Sequence, residues 1–306
     1  MFDILIVGAG PSGCAAAISA RARGFSVALV ERSGRARLLP GESLHPGVEP
    51  LFKELGVLED VHTCVLHRHT GIWRFDLNGH GDFEPFGADD SGPWRGFQVN
   101  RVGLNQIMRR RALDAGVEWI ETKTSLRARR DDEGWILEYA GEEVRAATLM
   151  DATGTRSWLA EQLGLQAEKF GEPQRIRFGW TRTGAAHTDG NPSFTARPHG
   201  WEWNAPLGEG RAAWVRLARG GDAGGLDATP RIHRECAGKG WFLLGDAACL
   251  TTPVAGNGVL RALMSGIYAI HVHAHVAAET ISQEQGAEAY RSWMGALWTS
   301  TVSMTA

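Results

Sequence analysis

Apolar residues follow three rhythms along this chain, and the order of those rhythms carries the fold. Ile4, Leu5, Ile6 and Val7 form a short unbroken run, and Ser26–Val30, Leu149–Met150 and Trp241–Leu244 repeat the pattern; runs of this length suit strands buried on both faces of a parallel sheet. A second rhythm is helical. Val48, Leu51, Phe52 and Leu55 recur at helical spacing before Gly56, as do Leu104, Ile107, Met108 and Leu113 before Gly116, and again Val259, Leu263, Gly266 and Ile270. In the third, aromatics sit among turn residues from His62 to Trp94 and from Arg175 to Leu217, as in Gly71-Ile72-Trp73 and Gly81-Asp82-Phe83, which predicts strands and loops. Leu126–Arg130, Trp135–Tyr139 and Val144–Thr148 predict a three-stranded meander, because Asp131–Gly134 and Ala140–Glu143 are rich in turn formers.

The first apolar run leads straight into Gly8-Ala9-Gly10-Pro11-Ser12-Gly13, a G-x-G-x-x-G fingerprint. Cys14 to Ala22 reads as a helix of small residues, and the next strand ends on Glu31. Each part has a mechanical reason. Gly8 permits the tight turn, Gly10 lets backbone approach a pyrophosphate, and Gly13 lets helix and strand pack closely. The helix start at Pro11 and Ser12 offers unpaired N–H groups and partial positive charge to phosphates, and Glu31, followed by Arg32, stands where an acid accepts hydrogen bonds from a ribose.

A second motif returns late in the chain. Gly245-Asp246-Ala247-Ala248 follows an apolar strand, where a carboxylate can bond a ribityl hydroxyl, and Pro253-Val254-Ala255-Gly256-Asn257-Gly258 opens a helix whose small residues admit a flat ring. One motif serves phosphates and the other an isoalloxazine, so the pair indicates FAD. The expected fold is α/β: a Rossmann-type FAD-binding domain built from 1–62, 98–168 and 234–284, an inserted, mainly β substrate domain from 63–97 and 169–233, and a C-terminal helical segment, 285–306.

Composition narrows the reading further. A net charge of −3 over 306 residues, with no basic block, gives no footprint for nucleic acid. No apolar run approaches the roughly 20 residues of a membrane span, and the first strand begins beside Met1, so a cytoplasmic protein is expected. Cys14, Cys64, Cys236 and Cys249 lack metal-type spacing and are expected as reduced thiols. His271, His273 and His275 tempt a metal reading, but only the outer two share a helix face and no acid lies suitably near, so no metal is expected.

Several longer stretches carry a resemblance: Pro40-Gly41-Glu42-Ser43-Leu44-His45-Pro46, Arg68-His69-Thr70-Gly71-Ile72-Trp73, Gly92-Pro93-Trp94-Arg95-Gly96-Phe97-Gln98 and Arg234–Trp241. Over nearly its whole length the chain resembles the FAD-dependent aromatic monooxygenases of the hydroxybenzoate hydroxylase fold, in their halogenase-like branch. It is most similar to flavoproteins that hydroxylate a peptidyl tryptophan while quinone cofactors mature, such as the modifying flavoprotein of quinohemoprotein amine dehydrogenase and the partners of lysine and glycine oxidases. The resemblance implies that Arg101 touches the FAD phosphates or ribityl chain, that Gly256–Gly258 face the flavin pyrimidine, and that Glu42, Ser43, Gly154 and Pro253 belong to the cofactor site. It also implies aromatic hydroxylation by a C4a-hydroperoxyflavin, with His45, His69 and Trp203 as catalytic candidates, and Trp73 and Trp94 helping Trp203 to exclude water.

Departures from that pattern shape the expectations. The strand that carries Asp-Gly in many such hydroxylases ends here Asp151-Ala152-Thr153-Gly154, and no second G-x-G-x-x-G exists, so the flavin is expected to be reduced by NAD(P)H directly or through a separate flavin reductase. Trp201-Glu202-Trp203-Asn204-Ala205-Pro206 fits the halogenase Trp-x-Trp-x-x-Pro stretch, yet alignment through Gly71-Ile72 puts His69 where halogenases have a lysine. Hydroxylation is therefore the main reading. Halogenation, small-molecule hydroxylation and a non-catalytic flavin module are the alternatives. The segment 220–231 and the stretch after Trp298 look short for a substrate cap, which suits a bulky polypeptide substrate over a small aromatic.

Overall fold

The computed structural model describes residues 1–32, 43–182, 189–218, 225–252 and 257–303. Its centre is a sheet in which Glu118–Thr122, Val27–Arg32, Phe2–Val7, Glu142–Asp151 and Trp241–Leu243 lie side by side and parallel. Ile4 registers with Val27 on one side and Thr148 on the other. Ile4, Leu5 and Ile6 are wholly buried, as a strand covered on both faces requires. The meander is also present: Arg127–Arg130 and Trp135–Tyr139 pair antiparallel and extend to Glu142–Ala146, so one long strand serves both the meander and the parallel sheet.

The fingerprint helix runs from Pro11 to Ala22, one turn earlier than its apolar residues suggest, because Pro at the first helical position gives up an N–H that has no partner there anyway. Against it lies the helix Gly258–Ala277. Their backbones nearly touch, since a Cβ on Gly266 would collide with the Ser12 carbonyl oxygen and lie 2.9 Å from the Ala16 nitrogen. Tyr290, on the final helix Gln283–Ser303, is fully buried and donates its hydroxyl to the Leu243 carbonyl at 2.9 Å, which ties that helix to the end of the last parallel strand.

One element differs in its packing face. The helix Arg101–Asp114 buries Leu104, Met108 and Ala112, an i, i+4, i+8 stripe, and leaves Leu113 42% exposed, so Leu113 is not a core position.

A second sheet orders its strands as Leu226–Asp227, Arg175–Arg182, Arg211–Ala218, Gly200–Gly208, Ser193–Arg197, Gly71–Phe75 and Gly81–Pro85. Trp201, Trp203, Ala205 and Leu207 alternate inward along Gly200–Gly208, and the first three share a core with Ile72, Ile176, Val215 and Leu217. Register corrects one expectation. Trp203 pairs with Phe194, whereas Trp73 pairs with the adjacent Ser193, so Trp73 points to the opposite face, where it stacks on Phe75 and meets Phe83 at a tilt. Trp94 is 46% exposed on a small hairpin and cannot shield anything beneath the sheet. Joining the two sheets is a three-stranded one, in which Gly96–Val99 pairs with both Ser43–Leu44 and Val65–His69.

Among the described residues no helix is long and apolar enough to cross a membrane.

Candidate flavin site

The fingerprint glycines are held by contact with a distant strand. Gly8 has φ +105°, and a Cβ there would collide with the Ala152 carbonyl and lie 3.0 Å from the Thr153 nitrogen. A Cβ on Gly13 would enter the Gly8 carbonyl oxygen and come within 3.0 Å of the Ala152 methyl. Gly10 is the opposite case, with nothing within 4 Å of where its Cβ would be. Two glycines are therefore there because backbone presses on them, and the middle one because space is left beside it. The Glu31 carboxylate accepts the Ala9 N–H and so closes over this turn. Arg32 ends its strand exposed, in register with Thr122.

Ser12 joins the two halves of the site. Its Oγ lies 3.2 Å from the position a Cβ would take on Gly245, whose own N–H donates to Ser265 Oγ at 2.8 Å. Asp246 follows in a half-buried turn. Burial pushes its carboxyl up, and Arg261, Arg101 and Arg231 pull it back toward ionisation. Arg261 is itself pushed down by burial and held up by Asp246. Arg101 heads its helix, whose first turn is capped by the Asn100 side chain accepting from Val102 and Gly103, both at 3.1 Å. Arg231 donates to the Thr155 carbonyl at 2.8 Å, beside Gly154, which also opens onto free space.

At the start of the later helix the Asn257 Oδ1 is buried with no hydrogen-bond partner among the described residues, and a Cβ on Gly258 would meet none of their atoms within 4 Å. Glu42, Pro253 and Gly256 lie outside the described residues. Asp151 does not face the cofactor site. One of its carboxylate oxygens accepts from the Thr153 N–H at 2.8 Å and the other from Leu159 at 2.7 Å, while its carbonyl accepts from Leu244; burial pushes its carboxyl up.

The side nearer the second sheet holds a chain of polar contacts. Trp203 donates its indole N–H to Ser43 Oγ at 3.3 Å, and Ser43 donates to Gln98 Oε1 at 2.8 Å. Gln98 is fully buried, and its Nε2 has no partner among the described residues. Gln98 and the two guanidiniums of Arg231 and Arg261 were not singled out by sequence reasoning. The Gly96-Phe97-Gln98 stretch was visible, but one glutamine in a short strand has no periodicity to mark it.

His45 and His69 come together around Phe86. The ring centroids stand 5.2 Å and 5.4 Å from Phe86, each edge to face. The His45 Nδ1 accepts the Gly47 N–H at 3.0 Å, and burial lowers the pKa of this ring. His69 is 4% exposed, its Nδ1 has no partner among the described residues, and burial, then His67 and His45, push it down to about 4. Both rings are neutral at physiological pH. Position 47 also approaches the flavin-motif helix, since a Cβ on Gly47 would lie 3.7 Å from Leu260 Cδ1.

Among the described residues no group of His, Cys, Asp and Glu gathers to hold a metal. His271 and His275 meet edge to face at 4.8 Å on an exposed helix side, while His273 turns inward to Thr148 and Phe25.

Open space beside Gly10, an acid over the first turn, open space beside Gly258 and polar atoms on Gln98 and Asn257 without partners among the described residues fit a two-ended dinucleotide whose second end is a flat polar ring. That is FAD, and the site defines a flavin-dependent oxidoreductase. Residues 1–196 match the family described as FAD binding domain, and the chain belongs to it. Tryptophan 2-halogenase of Chondromyces crocatus is 26% identical over 345 residues, which cover 94% of this chain and 64% of that protein. The chain thus spans less than two thirds of that relative. Among solved structures, the flavin-dependent brominase Bmp2 superposes with a TM-score of 0.80 at 22% identity, over 95% of this chain and 83% of the other. PqsL of P. aeruginosa in complex with 2-aminobenzoylacetate gives 0.83 at 17% identity, over 99% and 94%. The fold is that of flavin-dependent halogenases and monooxygenases.

Proposed function

We propose that this chain hydroxylates an aromatic ring with FAD and dioxygen, and that the ring is a tryptophan carried by a partner polypeptide. The observation that carries hydroxylation over halogenation is the placement of lysine. The sequence has four, Lys53, Lys123, Lys169 and Lys239, and all are exposed on elements away from Trp203 and His69. The position where the halogenase resemblance expects a reactive lysine holds His69, a buried neutral imidazole that makes no covalent haloamine of that kind.

Bound FAD supplies the oxygen activation, and the chain supplies position, dryness and charge. The start of the helix at Gly258 would offer backbone N–H groups and positive dipole to the bound flavin. Gln98 Nε2 and Asn257 Oδ1, both without partners among the described residues, would supply a donor and an acceptor for a polar ring. Trp203, 8% exposed, covers the far side and keeps water out. His69, too weak a base to take a proton at neutral pH, accepts a hydrogen bond at Nδ1 and so orients an indole N–H. A polypeptide substrate is supported by resemblance and by the exposed hairpin that stands beside the two histidines. Electrons come from NAD(P)H directly or through a separate flavin reductase.

The decisive experiment incubates the reduced FAD-loaded protein with oxygen and bromide and, in separate arms, a tryptophan-containing polypeptide, free tryptophan and simple phenols. Oxygen added to the polypeptide supports the proposal. Bromine on any product, or oxygen on the small aromatics alone, would refute it.

A further inference from the structure

The hairpin from Phe86 to Arg95 is exposed at nearly every position beyond Phe86 itself. It keeps its own shape. Trp94 donates its backbone N–H to the Gly87 carbonyl at 2.9 Å and its indole N–H to Asp89 at 3.0 Å, Asp89 also receives the Ser91 hydroxyl, and the Trp94 ring lies over Gly87. At its root the Phe86 backbone N–H donates to the Thr70 carbonyl at 3.0 Å, and beyond that the Phe86 ring is the side chain that holds it to the core. Phe86 packs against the inward cluster that contains Ile72, Trp203 and Ala205, and it fills the gap between His45 and His69. Gly96 makes the room, because a Cβ there would lie 2.8 Å from the Phe86 ring and 2.7 Å from His69 Nε2. Directly after Phe86 comes Gly87 at φ +102°, a backbone conformation that glycine adopts at low cost and other residues rarely do.

A phenyl ring wedged edge-on between two neutral imidazoles, on a self-contained hairpin with a glycine at its root, has the geometry of a displaceable occupant. We propose that the slot between His45 and His69 is the subsite for the substrate's aromatic ring, and that Phe86 fills it until an indole-sized ring displaces it. The slot deepens the hydroxylation reading and rests on it for its meaning, but its occupancy is tested without any turnover. His69, on one wall of the slot, carries a buried ring nitrogen, Nδ1, without a partner among the described residues, and an indole N–H can use such an acceptor where a phenyl cannot. An occupant that must leave first lowers the apparent affinity by the fraction of time the slot is open, and removing the occupant removes that penalty.

The test is calorimetric titration of the oxidised FAD-loaded protein with indole and with benzene. Phe86→Ala is expected to bind indole about tenfold more tightly than the unaltered protein, Phe86→Leu to a lesser degree, and Phe86→Trp more weakly. Benzene should gain in Phe86→Ala but stay weaker than indole, and His69→Phe should erase that difference. In hydrogen exchange, indole should raise the exchange of amides in 88–94 of the unaltered protein and leave Phe86→Ala unchanged. If Phe86→Ala keeps its FAD and its melting temperature yet binds indole no better, the slot assignment is wrong. Should that variant fail to hold FAD, the order of Phe86→Leu and Phe86→Trp decides instead: Leu no tighter than Trp overturns it. A protein that follows the expected order but oxygenates no aromatic would refute the proposed reaction and leave the slot standing.

Discussion

The indole N–H of Trp203 reaches the hydroxyl of Ser43 at 3.3 Å, across 160 positions of sequence, and makes the second sheet a direct support of the flavin side. Ser43 passes the contact to Gln98, so the free Gln98 Nε2 is aimed by a residue on another sheet. Trp203→Phe keeps the ring and loses the donor. A stability loss of about 1 kcal/mol is expected, with FAD dissociation constants several-fold weaker, by thermal melting and fluorescence titration. Ser43→Ala should do the same, and the double variant should show less than the sum of the two, because both act through one chain.

The two kinds of fingerprint glycine should separate cleanly. Gly13→Ala places a methyl inside the Gly8 carbonyl and should cost at least about 3 kcal/mol or prevent folding, seen as loss of the cooperative melt. Gly10→Ala meets no atom of the described residues within 4 Å, so it should fold normally and lose bound FAD. A Gly10→Ala protein that retained full flavin would show that the pyrophosphate lies elsewhere.

Acid should act through His69. Its folded pKa, about 4, is below the ordinary 6.5, so the unfolded chain takes up a proton first as pH falls. Stability from this group is complete above 6.5 and is lost as pH drops toward 4, a change of order 3 kcal/mol at most. His45 and His273, also lowered by burial, act in the same direction. Denaturant melts at pH 7 and pH 5 should differ by less in His69→Gln than in the unaltered protein. An equal difference would place the proton uptake elsewhere.

Asp151 should prove a structural acid. Its carboxylate satisfies the Thr153 and Leu159 amides, so Asp151→Ala orphans two buried donors and should cost about 2 to 4 kcal/mol. Asp151→Asn retains one acceptor and should cost about half as much. Flavin spectra of the folded Asn variant should match those of the unaltered protein, since no oxygen of this side chain points into the cofactor site.

Much of this arrangement was legible because it is local. A strand, a glycine turn, a small-residue helix and a terminal acid within Ile4–Glu31 need no distant partner to be recognised. What the sequence could not display is who presses on those glycines. Ala152 lies against Gly8 and Gly13 only because Glu142–Asp151 pairs with Phe2–Val7, and Gly266, one apolar position among several in its helix, marks the closest approach to Ser12. The faces of Trp73 and Trp203 were equally hidden. Alternation along each strand is local, but which side is inward depends on the parallel pairing of Ser193–Arg197 with Gly71–Phe75. Gln98 escaped notice for the same reason, since its burial comes from Ser43–Leu44 and Val65–His69 closing on both sides of its strand.

The backbone contact of Gly266 with Ser12 also sets a timetable. The phosphate cradle is encoded far upstream of the helix that packs on its opening helix, and that helix is made only after both stretches of the second sheet have been translated. Contacts this remote in sequence form slowly and only once their partners exist. Flavin capture is therefore a late event in the life of the nascent chain, and a ribosome-arrested chain halted before Gly258 should leave its fingerprint turn empty even in saturating FAD.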